Sequence, residues 1–161
     1  LLLKYALQSD CNRFLHASTM SVYGDQPDWP VAEDATVLPK SFYGVGKLAS
    51  EHYLRIYHQY GVKSASLRLF NVYGPGQALS NPYTGVLAIF ASRLLNGQKP
   101  MIFEDGEQRR DFVHVTDVAR AFADALALPQ AAGGTFNIGS GVDRSVTQVA
   151  RALAAEGFGT V

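Results

Sequence analysis

Cysteine is almost missing from this chain. Cys11 is the single one among 161 residues, so no disulfide can close within it, and a reducing compartment is expected. An excess of either charge is missing as well: 14 Lys and Arg balance 14 Asp and Glu. That balance gives no reason to expect nucleic acid or an anionic membrane surface as a partner. No apolar run reaches the ~20 residues of a membrane-spanning helix. Leu1-Leu2-Leu3 passes straight into Lys4, too short a stretch for a signal sequence. Repeats and low-complexity tracts are absent. His16, His52, His58 and His114 have no Cys or carboxylate at metal-ligand spacing, so no metal site is expected. Ser18 lacks the Gly-x-Ser-x-Gly setting of a hydrolase nucleophile. What is present is 47% hydrophobic and only 17% charged, the composition of a packed globular protein. A soluble, cytoplasmic protein is expected.

Read in order, the chain alternates helical and strand patterns. Residues 1–9 resemble the middle or end of an amphipathic helix, and with no initiating Met a fragment of a longer chain is expected. Asp10-Cys11-Asn12 turns into a short apolar strand, Arg13 to Ala17, which runs into Ser18 and Thr19. In open α/β sheets reactive groups gather beyond the carboxyl ends of strands. Residues 25–40 hold three prolines and four carboxylates, which reads as a surface loop. Ser41 is a fair cap for a helix running to about Tyr60, with Gly61 after its end. Val45, Leu48, Ala49, His52, Tyr53, Ile56, Tyr57 and Tyr60 form its apolar stripe.

Strands are expected at 64–70 and 135–138, and helices at 117–128, capped by Thr116, and 146–156, with a capping box from Ser145 and Gln148. Gly74-Pro75-Gly76 is a turn, a loop runs through Pro82, and Thr84 would cap a helix ending at Asn96-Gly97. Residues 100–103 and 110–113 flank Asp105-Gly106 as a predicted hairpin. Val142-Asp143 is expected to continue as a loop. The alternation predicts an α/β fold with a mainly parallel sheet.

Tyr43 and Lys47 stand four apart in the long helix and so share one face. A neighbouring ammonium favours the phenolate form of a tyrosine, which can then exchange a proton with a substrate hydroxyl. Taken alone, the pair fits an ordinary amphipathic helix better than a site. Gly44 and Gly46, each costly in a helix, suggest close approach of another backbone, a ligand, or tight helix-on-sheet packing.

Five blocks in order change that reading. They are Ser18-Thr19-x-x-Val22-Tyr23-Gly24, Tyr43-x-x-x-Lys47, Arg68-x-Phe70-Asn71-Val72-Tyr73-Gly74-Pro75, Arg110-Asp111-Phe112-Val113-His114-Val115-x-Asp117, and Asn137-Ile138-Gly139-Ser140-Gly141. Together they resemble the extended short-chain dehydrogenase/reductases, and within these the NAD-dependent epimerase/dehydratases of the UDP-glucose 4-epimerase kind. The resemblance implies a Rossmann-like parallel sheet with flanking helices, present in part, plus part of a small C-terminal substrate-binding region. It assigns residues 1–76 to the NAD-binding domain and 77–161 mainly to the substrate side, both incomplete.

The resemblance also implies roles. Thr19 matches the hydroxyl that hydrogen-bonds the reacting sugar, Tyr43 the general base and acid, and Lys47 the residue that favours the phenolate and binds the nicotinamide ribose. Phe70 matches a cofactor contact, and with Thr19, Tyr43 and Lys47 it makes up the expected NAD-binding set. Asn71, Phe103 and Arg110 match substrate contacts, Arg110 as the holder of the nucleotide diphosphate and Arg109 as a solvated neighbour. The related dehydratases carry an acidic residue just after the catalytic Thr; Met20 and Ser21 stand there instead, which favours epimerase chemistry through a 4-keto intermediate. A dehydratase or reductase is the nearer alternative and a non-catalytic NAD-binding scaffold the more distant one. A homodimer through the helix from Tyr43 to Tyr60 is implied for the full-length protein. The family's glycine-rich phosphate turn is not in this sequence. The chain alone is therefore expected to be inactive, with one bare sheet edge.

Overall fold

In the computed structural model, residues 1–9, 11–26, 30–78 and 85–158 are described, the last two by backbone alone. The elements are α1 (Leu2–Gln8), β1 (Phe14–Thr19), α2 (Phe42–Gln59), β2 (Ser64–Leu69), β3 (Asn71–Tyr73), α3 (Val86–Leu95), β4 (Arg109–His114), α4 (Val115–Ala127), β5 (Thr135–Ile138), β6 (Asp143–Ser145) and α5 (Val146–Leu153). They divide into two compact units, Leu1–Phe70 with Asp117–Ile138, and Asn71–Thr116 with Gly139–Val161.

The first unit is a parallel three-stranded sheet in the order β1-β2-β5. Residues 64–68 of β2 are all buried, as expected for a central strand covered on both faces. Parallel neighbours need crossovers, and α2 supplies the one from β1 to β2. Leu67, Ala125 and Ala131 form the core, with Leu15, Leu69, Phe122 and Phe136 packed around it. Ser41 caps α2 by accepting the Gly44 amide at 3.0 Å, and Gly61 closes it at a positive φ of 103°.

The face of α2 turned toward the sheet differs from the expected one. Gly44, Glu51 and Leu54 are buried, whereas Val45, Tyr53, Ile56 and Tyr60 of the apolar stripe are exposed. A buried ion pair, described below, draws the polar face of the helix inward and leaves the apolar one outside.

In the second unit β3 pairs in parallel with β4, and β4 pairs antiparallel with β6. Phe90, Val149 and Ala150 make its core, with Ile102 and Phe112 against them. Three expectations fail here. The hairpin does not form, because β3 and β6 take both edges of β4 and residues 101–103 are not a strand. Glu104 and Gly106 turn the chain at positive φ instead, where the Gly106 carbonyl accepts from Thr147. Residues 143–145 form β6 rather than a loop, its start tied by Arg109 to Asp143. Thr116 does not cap α4, which begins at Val115 directly from the strand; the Thr116 amide donates to His114 Nδ1 at 3.3 Å. The capping box at Ser145 and Gln148 is present. Thr84, the loop at Pro82 and the turn at Asp10 lie outside the described residues.

Candidate active site

Thr19 is the last residue of β1 and pairs in register with Leu69, the last of β2, so Thr19 and Phe70 stand at the same carboxyl end of the sheet. The Thr19 hydroxyl caps a 3-10 turn over Met20–Val22. It accepts the Ser21 amide and donates to the Ser21 hydroxyl, each at 3.2 Å. The first turn of α2 rests on this segment. A Cβ on Gly44 would lie 2.7 Å from the Ser21 carbonyl oxygen and 2.9 Å from Pro39 Cβ, so the close approach expected at this glycine is to another backbone. Gly46, by contrast, faces open space.

Lys47 reaches β1 and donates to the Ala17 carbonyl at 2.7 Å. Its ammonium also lies 5.7 Å from the centre of the Tyr43 ring. Tyr43 is 58% exposed, with its phenol toward solvent rather than in the core. Thr19, Tyr43, Lys47 and Phe70 thus belong to one unit and one end of its sheet. The second unit sets Asn71 and Arg110 on paired strands, the Asn71 amide donating to the Asp111 carbonyl at 3.2 Å. Arg110 is exposed and stands opposite Arg144 across the β4–β6 ladder. Its guanidinium donates to the Arg109 carbonyl at 2.7 Å. Phe103 lies in the loop before β4, 72% exposed. Arg109 is half-exposed and ion-paired with Asp143, not a free solvated cation.

A group that sequence reasoning passed over lies beneath Thr19. Glu51, one turn beyond Lys47 on α2, is 1% exposed. It accepts from the Ser18 hydroxyl at 2.5 Å and from Arg68 through Nε at 3.0 Å and Nη2 at 2.7 Å. Arg68 Nη1 continues to the Tyr23 hydroxyl and the Glu33 carbonyl, and the Tyr23 hydroxyl donates to Asn137. Burial pushes the Glu51 carboxyl up, but the hydrogen bonds from Arg68 and Ser18 outweigh it and hold it below the usual range. Beside it, burial and then the Lys47 charge hold the His16 imidazole below its usual value against a pull from Glu51. The spacing of Glu51, four residues after Lys47 on the face of Tyr43 and Lys47, was the only local signal, and it did not reveal the partners.

The matching family model, the NAD dependent epimerase/dehydratase family, spans residues 1–139. The chain belongs to this family. It is 42% identical over 137 residues to a UDP-glucose 4-epimerase of Mycolicibacterium smegmatis, covering 83% of this chain and 42% of that one. Among solved structures, the UDP-glucose 4-epimerase of Thermotoga maritima with UDP-glucose superposes with a TM-score of 0.90 at 37% identity, covering 96% of this chain and 50% of that one. The Thermus thermophilus enzyme in complex with NAD gives 0.84 at 39%, covering 96% and 51%. The chain therefore spans about half the length of its relatives. Family members named as a 4,6-dehydratase and a reductase also match, at 36% and 34% identity.

The residues of this epimerase/dehydratase segment fit one end of NAD. An exposed phenol and an ammonium with donors beyond the one given to Ala17 have the chemistry to meet ribose hydroxyls.

Proposed function

We propose that this chain carries the catalytic segment of an NAD-dependent nucleotide-sugar 4-epimerase of the UDP-glucose/UDP-galactose type. The observation that supports the reading is Lys47, tied to the Ala17 carbonyl two residues before Thr19 and with its ammonium 5.7 Å from the centre of the Tyr43 ring. In this reading Tyr43 takes the proton of the sugar 4-hydroxyl and later returns it. Thr19 hydrogen-bonds that hydroxyl, and Lys47 supplies the positive field beside the phenol and binds the nicotinamide ribose. Phe70 lines the cofactor. NAD, when bound, supplies the reversible hydride acceptor that a 4-keto route requires. Met20 and Ser21 cannot act as the further acid that water elimination needs, which supports epimerase over dehydratase chemistry.

On the substrate side, Arg110 holds the diphosphate, with Asn71 and Phe103 as further contacts. Two arginines directly opposed across a ladder repel each other, and an anion between them relieves that repulsion. Residues 1–76 are the cofactor side and residues 77–161 mainly the substrate side, with the returning strand β5 belonging to the first compact unit. The exposed apolar face of α2 supports a homodimer in the full-length protein. A cytoplasmic setting belongs to the same proposal. The test is a product assay of the full-length protein on UDP-glucose and UDP-galactose. Interconversion of the two is expected; a 4-keto-6-deoxy product or net NADH release would point to the dehydratase or reductase reading instead.

A further inference from the structure

Helix α2 is fastened to β1 at two consecutive residues by side chains from consecutive turns. Lys47 donates to the carbonyl of Ala17, and Glu51 accepts from the hydroxyl of Ser18. Thr19 is the next residue along the strand. One such anchor would leave the helix able to rock about it. Two, spaced by one turn on a shared face, fix both rotation and translation. Tyr43 lies one turn before Lys47 on that face, its ring centre 5.7 Å from the Lys47 ammonium, so its place relative to β1 depends on the same pair of anchors.

The Glu51 anchor is itself held. Arg68 grips both carboxylate oxygens from β2, and its remaining nitrogen is fixed by the Tyr23 hydroxyl and the Glu33 carbonyl. Glu51 and Arg68 are each 1% exposed, so water cannot substitute for either partner. The Tyr23 ring lies 4.7 Å from the guanidinium and closes the remaining side. A packing role alone would be met by apolar residues of similar volume. The short hydroxyl contact to Ser18, next to Thr19, gives the pair a target.

We propose that Glu51, clamped by Arg68, is a positioning residue for proton transfer at Tyr43, acting through Ser18 to hold the first turns of α2 in register with the end of β1. The proposal rests on the reading of Tyr43 given above.

The full-length protein with NAD and UDP-glucose provides the test. Glu51→Gln keeps the shape and removes the charge, while Ser18→Ala removes only the strand anchor and leaves the ion pair whole. Each is expected to lower kcat about tenfold or more, with KM changed less than about twofold, and to move the pH profile of kcat. Without cofactor, amide exchange should speed up in residues 42–48 while β2 and β5 stay protected. If Ser18→Ala leaves kcat, its pH profile and that exchange unchanged, the proposal is overturned, whether or not Glu51→Gln folds. Uniform loss of protection across the first unit would assign the pair to stability alone and also overturn it. Tyr43→Phe with undiminished turnover would sink the functional reading instead, and the exchange pattern would then decide the positioning role.

Discussion

Glu51 on α2 and Arg68 on β2 meet through two hydrogen bonds, 3.0 Å from Nε and 2.7 Å from Nη2, with both side chains buried. Taking two charges out of water is costly, and geometry this complete is what offsets it. The pair also accounts for the carboxylate that α2 turns inward.

Breaking that pair from one side leaves a buried, unanswered charge. Glu51→Ala is expected to cost about 3–5 kcal/mol of unfolding free energy. Replacing both residues together, as Glu51→Leu with Arg68→Met, should cost much less than either single change. Urea denaturation of the two singles and the double measures this, and additive losses would contradict it.

Acid should weaken the fold in two stages. His16 is held below its ordinary 6.5 by burial first and Lys47 second, with Glu51 opposing. The unfolded chain therefore binds that proton more readily, and stability falls as pH drops below about 6.5, by at most ~1.4 kcal/mol per pH unit. Glu51, held below its ordinary 4.5, contributes stability that is full above that value and lost as pH falls through the folded one. Denaturation midpoints across this range should show both stages, and His16→Gln should remove the upper one while leaving most of the lower, which rests first on the Arg68 and Ser18 hydrogen bonds.

Gly44 and Gly46 should respond oppositely to alanine. At Gly44 the new Cβ would meet the Ser21 carbonyl at 2.7 Å, which predicts a loss of about 1–3 kcal/mol. At Gly46 nothing lies within 4 Å, so alanine should stabilise the helix by about 0.5–1 kcal/mol. Thermal melts decide the signs.

Tyr43→Phe removes a hydroxyl that is exposed and has no protein partner among the described residues. Stability should therefore change by less than about 0.5 kcal/mol. Turnover in the full-length protein should fall by about 10²–10⁴. Parallel melts and product assays separate the two effects.

The outward face of α2 carries Tyr53 at 60%, Ile56 at 48% and Tyr60 at 68% exposure. Tyr53→Glu with Ile56→Glu should convert a dimer of the full-length protein to monomer, read by light scattering. A wild-type monomer at the same concentration would refute the dimer.

Much of this was legible in the sequence for local reasons. Ser41, Ser145 with Gln148, and Gly61 mark helix ends through bonds made within a few residues, so both ends of α2 and the start of α5 could be placed without tertiary information, whereas α5 stops at Leu153 instead of running to 156. The strands at 64–69 and 135–138 announced themselves by composition. The three-residue strands β3 and β6 did not, because so short a stretch has no period of its own and exists only by pairing with β4. The predicted hairpin failed for the same reason: Asp105-Gly106 specifies a turn, but not which strands border it.

The ordered blocks from Ser18 to Gly141 were enough by themselves to point to the family, since each is a short local pattern, and they named the candidate residues. Only the tertiary structure decided which face of α2 is buried. Glu51 looks like a solvent-facing residue until Arg68, seventeen positions away, and Ser18 from another strand arrive to pair it. Desolvating a carboxylate is favourable only with those partners in place, and no pattern within the helix records that they will be there.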